Sequence, residues 1–387
     1  MNKDAIVNWL RETDPVRLQT LWTQADTVRR ESVSDEVHLR GLIEISNICR
    51  RQCLYCGIRA GNKEISRYRL TEEETLHCAE LAVKFGYGSI VIQAGEDVQI
   101  DADWIANILR KIKSTTSLAI TLSLGERSEA DWSLWRKSGA DRYLLRFETS
   151  NEKLFQAIHP PNPETLAYQS RIEMLSILRS LGYEVGSGIM VGIPGQTYND
   201  LAEDILLFRE LELDMVGLGP FLPHPQTPLG KLFPSDSESG LFRLEKWNEE
   251  QKTFFQRNGI DTPSLNNQVS CDSDFTFKVL ALVRILCPTI NLPSTTAIAT
   301  IDGKSGRKNG LNRGANVVMP NLTPTKYREK YEIYPNKAAT HQTPEETYQQ
   351  VVKQLQEINR PPGKGPGHSL RGKTNQNKFT HDIGELQ

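Results

Sequence analysis

In "CRRQCLYC", residues 49–56, Cys49, Cys53 and Cys56 stand at C-x3-C-x2-C spacing, and the loop supplies no fourth cysteine. A 4Fe-4S cluster usually takes four thiolates, so three leave one iron open to an exchangeable ligand. Zinc, the alternative occupant of closely spaced cysteines, prefers four protein ligands. The spacing therefore favours a cluster that something else must complete.

The surrounding pattern says where such a loop would sit. Eight short β-rich runs recur along the chain: Leu42 to Ile45, Ser89 to Gln93, Ala119 to Ser123, Tyr143 to Phe147, Val185 to Val191, Met215 to Leu218, Leu292 to Thr296 and Asn316 to Met319. Each is followed by a segment of helical spacing, as in "LTEEETLHCAELAVKFG", where Thr71 and Glu74 form a capping-box pair and Gly86 ends the helix. A second helix, "YQSRIEMLSILRSLG", carries an apolar stripe of Ile172, Leu175, Leu178 and Leu181. Alternating strands and helices imply an α/β fold with parallel pairing, and eight strands imply a closed (β/α)8 TIM-type barrel. The cysteine loop follows the first strand and so lies at the barrel's C-terminal mouth, where such folds keep their active sites.

The chain divides on this reading into an N-terminal helical extension (1–35), the barrel (36–345) with a surface insertion or lid at 230–274, and a C-terminal helix with a disordered tail (346–387). The tail is expected to be disordered because "NRPPGKGPGHSLRGKTNQNK" is rich in Pro, Gly, Lys and Asn. With 387 residues, 38% hydrophobic, the chain can build a sizeable core. A net charge of -2 gives no basic footprint for nucleic acid or membrane, and no apolar run approaches the roughly 18 residues that span a bilayer. The charged start "MNKDAIVNWLRETDP" has no signal-peptide core. A cytoplasmic location follows, where clustered thiols mean metal or catalysis rather than disulfides.

"CRRQCLYCG", with Tyr55 before its last cysteine, resembles the CxxxCxxC motif of the radical S-adenosylmethionine superfamily. The resemblance implies that the open iron is chelated by the amino and carboxylate groups of S-adenosylmethionine, whose reductive cleavage yields a 5'-deoxyadenosyl radical. "VIQAGED" resembles the family's GGE motif and sets Gln93, Gly95 and Glu96 near the methionine end. Arg146 and Glu148 in "RYLLRFET" project to one face of the fourth strand, since side chains two apart point the same way. Arg171 is placed to take a carboxylate by a bidentate fork. "GSGIMVGIPGQT" resembles the adenine-binding segment and points to Met190 and Ile193, and Ser123 and Met319 complete the cofactor set.

More distinctive stretches, among them "SNICRRQCLYCGIR", "DMVGLGPFLPHPQTPLG" and "RGANVVMPNLTPTKYREKYEIYPNK", resemble the HydE family of FeFe-hydrogenase maturases over residues 35 to 335. The resemblance implies assembly of the diiron precursor of the hydrogenase active site, with HydG and HydF as partner proteins and an external electron donor. His224, Thr295, Thr296, Asn321, Thr323 and Tyr327 are the expected substrate-chamber residues. Cys78 and Cys287 read as core thiols, and Arg284, Arg307 and Arg313 as helix-surface charges. Two departures stand out: Phe147 occupies a position where many relatives carry histidine, and "NKAATHQTPEETYQQ" lacks the cysteines of a second cluster. A methylornithine synthase-like mutase and a non-catalytic cluster carrier are the alternative readings. A biotin synthase-like role is excluded, because the second to fifth strands hold no cysteine for an auxiliary cluster.

Overall fold

The computed structural model describes residues 1–161, 170–236, 241–243 and 245–371. Seven strands, β1 (His38–Ser46), β2 (Ser89–Ala94), β3 (Ala119–Ser123), β4 (Arg142–Leu144), β5 (Glu184–Val191), β6 (Met215–Pro220) and β7 (Val317–Val318), form one parallel sheet in the order β6-β5-β4-β3-β2-β1-β7. Their near-continuous apolar runs suit strands covered on both faces, and β1 and β5 are buried along almost their whole length, β2 over its first four residues. The sheet curls, and helices such as Glu72–Lys84, Ala102–Thr115 and Tyr198–Glu210 return the chain along its outside. The first of these has the expected capping box of Thr71 and Glu74, with Gly86 at φ +71 just beyond its end.

The expected strand Leu292 to Thr296 does not form. Its place is taken by two isolated parallel bridges, Asn291 to Met215 of β6 and Pro293 to Val317 of β7. Two local features account for this: Pro293 has no N–H to give a ladder, and Thr295 caps the helix Thr296–Ile301 by accepting from Ile298 N. Among the described residues the sheet therefore has seven strands rather than eight. The expected run Tyr143 to Phe147 is also cut short, because β4 ends at Leu144 and Glu148 takes a left-handed φ of +62.

Helices Lys3–Arg11 and Pro15–Val33 lie against the helix Ser273–Leu286, where the buried Lys278 donates to the carbonyls of Leu10 and Glu12 at the end of the first helix. Within 230–274 the described residues are more than surface. Phe233, Phe242, Trp247, Phe255 and Cys271 are buried with Phe221, Met190 and Ile193 in a second apolar cluster beside the main core. Cys78 is fully buried, and Cys287 is partly buried against the core. Arg284, expected on a helix surface, is instead fully buried, donating to Gly314 O, Pro288 O and Asn316 Oδ1.

Composition assigns residues 359–371 to a disordered tail, yet they form an ordered strap across the N-terminal end of the sheet. Pro362 bridges to Val37, and Arg360 donates to Asp35 O, Glu36 O, Leu311 O and Ala315 O. Gly367 O and Pro366 O accept from Arg40 and Arg142, at the starts of β1 and β4, and His368 pairs with Glu184. These carbonyls meet guanidinium donors that burial would otherwise leave unsatisfied, which outweighs the weak local preference of a Gly- and Pro-rich segment. The rest of the expected tail, residues 372–387, lies outside the described residues.

Candidate active site

The cysteine loop begins where β1 ends, and it is pinned before any ligand is considered. Arg67 donates to four carbonyls, those of Asn47, Ile58, Arg59 and Asn62, and Arg59 Nε donates to Cys53 O. Gly95, at the end of β2, presses so close that a Cβ there would stand 2.3 Å from Ile48 O and 2.8 Å from Cys49 Cβ. Only glycine lets strand and loop approach this closely.

Behind the loop lies a chamber with about 1150 Å³ of space not filled by atoms, its mouth included. Cys49, Cys53, Cys56, Tyr55, Gln93, Gly95, Glu96, Ser123, Arg146, Glu148, Arg171 and Met190 all line it. So do residues that sequence reading did not single out: Arg51, His159, Tyr331 and Tyr334. Arg51 lies inside the quoted cysteine motif, and both tyrosines lie in "KYEIYPNK"; His159 had only its place before two prolines to mark it.

The remaining candidates lie elsewhere. Ile193 is core. Thr295 donates to Leu218 O as well as capping its helix, and Thr296 begins that helix. Thr323 Oγ1 accepts from Glu44 N, Asn321 donates to Glu44, and Tyr327 donates to Glu74 while stacking on Tyr68. His224 accepts from Gln226 N and faces Glu332, and Met319 is partly buried; neither lines the chamber. Polar residues after a strand are visible in sequence, but local caps and buried acids compete for them.

The chamber wall is dense in charge. Glu126 accepts from Arg171 Nε at 2.9 Å and from Arg51 Nη1 at 3.2 Å, while Arg146 pairs with Glu148 at 3.1 Å. Burial raises the Glu96 carboxyl, the charge of Glu126 raises it further, and Arg51 and Arg171 pull the other way. Burial opposes the charge on Arg171, yet Glu126, Tyr55 and Glu96 hold its guanidinium above its ordinary value. For His159, burial and then the charges of Arg171 and Arg51 outweigh an opposing backbone hydrogen bond and keep it neutral, well below the usual histidine range.

Burial likewise raises all three thiols, Cys56 to about 12, Cys53 well above its ordinary value and Cys49 less. As thiolates they are stable only beside compensating positive charge. Among the described residues no three His, Cys, Asp or Glu side chains converge enough to hold a single metal ion. A donor set of separate thiols, Cys53 buried and Cys49 and Cys56 partly so, fits a multi-iron cluster, in which each sulfur binds its own iron, better than one zinc ion. Beside it, guanidinium, carboxylate and apolar groups suit a ligand that is at once an amino acid and a nucleoside.

Comparison with known proteins adds a family. The sequence pattern of the Radical SAM superfamily matches residues 43–208. The chain is 41% identical over 91% of its length to the [FeFe] hydrogenase maturase subunit HydE of Thermotoga maritima, covering 89% of that protein. It is 25% identical over 78% of its length to 3-methylornithine synthase of Methanosarcina acetivorans, covering 74% of that protein. Among solved structures, methylornithine synthase (PylB) aligns with a TM-score of 0.70 at 21% identity, covering 94% of both chains. HydG, a maturase of the [FeFe]-hydrogenase, aligns with a TM-score of 0.69 at 17% identity over 94% of this chain and 73% of that one. Both structural likenesses speak for the curled parallel fold.

Proposed function

Since the chain belongs to the radical SAM superfamily and, within it, to the HydE maturases, we propose that it matures the diiron precursor of the FeFe-hydrogenase active site. The family uses a 4Fe-4S cluster and S-adenosylmethionine, and the chain is accordingly a radical SAM enzyme. The observation that carries the proposal is the 41% identity extending over nine-tenths of the chain, with the three thiols and the charged wall on one chamber. The 25% identity to a methylornithine synthase supports the superfamily and leaves the mutase reading the weaker one.

In this reading Cys49, Cys53 and Cys56 hold the cluster at the C-terminal end of the sheet. When bound, cluster and cofactor together supply a 5'-deoxyadenosyl radical by reductive cleavage. The chain's own work is positioning and exclusion. Arg171 meets the carboxylate of the methionine moiety, the β2 end with Gln93, Gly95 and Glu96 faces its amino group, and Met190 contributes apolar contact for adenine. Glu148 and Arg146, paired with each other, offer hydrogen bonds of both signs to the ribose region. Phe221 and Leu222, which also line the chamber, keep water from the reacting atoms. The bridges through Asn291 and Pro293 act as a rudimentary eighth stave that closes the barrel around this space. The partners are HydG, HydF and an external electron donor, and the compartment is a reducing cytoplasm, in keeping with six unpaired cysteines.

The test is formation of 5'-deoxyadenosine by the anaerobically reconstituted, reduced protein, with and without a cysteine-bound iron carbonyl cyanide complex. Strong stimulation by the complex is expected. Stimulation by lysine instead would favour the mutase reading, and cluster loading without any cleavage would favour a carrier.

A further inference from the structure

His159 is 1% exposed and lies between two guanidinium groups. Arg171 Nη2 stands 2.7 Å from its Nε2, and Arg51 Nη2 stands 3.0 Å from its Nδ1. Guanidinium groups only donate, and a neutral imidazole accepts through one nitrogen while donating through the other. Both contacts therefore cannot be hydrogen bonds at once, and protonating the ring would satisfy neither. At any moment one arginine N–H faces a ring N–H.

Other bonds hold this competition in place. The Glu126 carboxylate accepts from both arginines, Arg171 Nη1 donates to Arg146 O, and the imidazole stacks on Phe155 with centroids 4.9 Å apart. Arg51 Nη2 also donates to Pro160 O at 3.3 Å, but its buried Nε has no hydrogen-bond partner, the Glu96 carboxylate standing 3.9 Å away. All three side chains line the chamber. Among the described residues the wall thus leaves donors of Arg51 and Arg171 short of hydrogen-bond acceptors, and an incoming carboxylate would answer them.

We infer that His159 is a positioning residue that serves the two arginines alternately, accepting from Arg171 in the empty chamber and from Arg51 once a ligand carboxylate has claimed Arg171. The change moves the ring proton from Nδ1 to Nε2 by exchange with solvent, with no net gain or loss. It frees Nδ1 to accept from Arg51 and turns Nε2–H into a donor on the side of Arg171 and its new carboxylate. Histidine suits this role because its two nitrogens can exchange duties without rotating the ring. The inference rests on the reading that this chamber binds S-adenosylmethionine.

The test is calorimetric: dissociation constants of S-adenosylmethionine and of decarboxylated S-adenosylmethionine for the cluster-loaded wild type and variants. His159→Phe keeps the stacking on Phe155 but removes the acceptor, and is expected to weaken S-adenosylmethionine about tenfold while leaving the decarboxylated analogue within about twofold, the scale of one hydrogen bond to a charged group. His159→Gln, which keeps an acceptor, should restore most of the difference. If His159→Phe does not fold, His159→Asn, whose amide falls short of both guanidiniums, carries the same test. Equal weakening of both ligands would show mere packing and overturn the inference, as would no weakening of either. A cluster-loaded wild type that binds neither ligand would overturn the cofactor reading itself.

Discussion

Buried arginines occur in this molecule in two settings that differ in what answers them. Arg360, Arg328 and Arg284 lie in the scaffold, where their donors meet mainly backbone carbonyls: four for Arg360, and those of Asn321, Thr323, Ala339 and Gln342 for Arg328. Arg51 and Arg171 lie at the chamber, where their main partners are a shared carboxylate, a shared imidazole and few carbonyls. A carbonyl set by secondary structure cannot leave, so the scaffold arginines act as rivets. Ionisable side chains can change partners, so the chamber arginines are open to exchange with a ligand. Burial alone does not separate structural from functional charge; the identity of the acceptor does.

That contrast can be broken by mutation, and the largest effect lies beside the chamber arginines. Replacing any of Cys49, Cys53 or Cys56 by Ala should abolish cluster loading, read as bound iron and sulfide, and with it all cleavage of S-adenosylmethionine. Retained turnover in one of the three would remove the basis of the site. Next comes the pair that sharpens the comparison. Arg360→Met should lower unfolding stability by about 3 kcal/mol, because several buried carbonyls lose their donor together. Arg171→Met should cost less stability than Arg360→Met, because Glu126 keeps Arg51 as a partner, yet weaken S-adenosylmethionine by about a hundredfold. If the two substitutions behaved alike in either assay, the distinction between rivet and exchangeable partner would fail.

A smaller effect concerns the acid behind the wall. Burial raises Asp204 from 3.8 to about 7, partly offset by hydrogen bonds from Ser150 and Thr149. A carboxyl whose folded pKa is raised stabilises the fold fully below the unfolded value and less as pH rises through the folded one. The wild type should therefore lose stability between about pH 4 and 7 through this group, and Asp204→Asn should flatten that slope in denaturant titrations. Smallest of all, Tyr327→Phe should cost about 0.5–1 kcal/mol for its bond to Glu74 and leave ligand affinity untouched. A change in affinity would bring Tyr327 back into the chamber.

Much of the scaffold was legible because it repeats. Strands β1, β2, β3, β5 and β6 fall on the apolar runs read from sequence, and the Thr71 cap follows from residues three apart. The run at 292–296 looked like the others, but a proline and a helix cap diverted it, and both act through hydrogen-bond geometry rather than hydrophobicity. In the site, the residues carried by dense local motifs reach the chamber, Ile193 excepted. Those chosen for polar chemistry alone, such as Thr295, Thr323 and Tyr327, are engaged by neighbours distant in sequence, which no local pattern displays. His159 was invisible for the same reason, since its meaning depends on two arginines brought together only by the fold. The strap was misread because composition describes what a segment prefers alone, whereas Arg40 and Arg142 supply the donors that hold it.

The strap also sets an order in time. Arg360 is bonded to Asp35 across a sequence separation of 325 residues, and Val37 pairs with Pro362 beside it. On a chain made from its N-terminus, the cysteine loop therefore emerges early, while the segment that locks β1 in place emerges late. Such long-range closure is slow compared with forming the helices and neighbouring strand pairs between. For that interval the three thiols belong to a nascent, unsealed structure. Any protection of those sulfurs during synthesis has to act before the strap reaches the sheet.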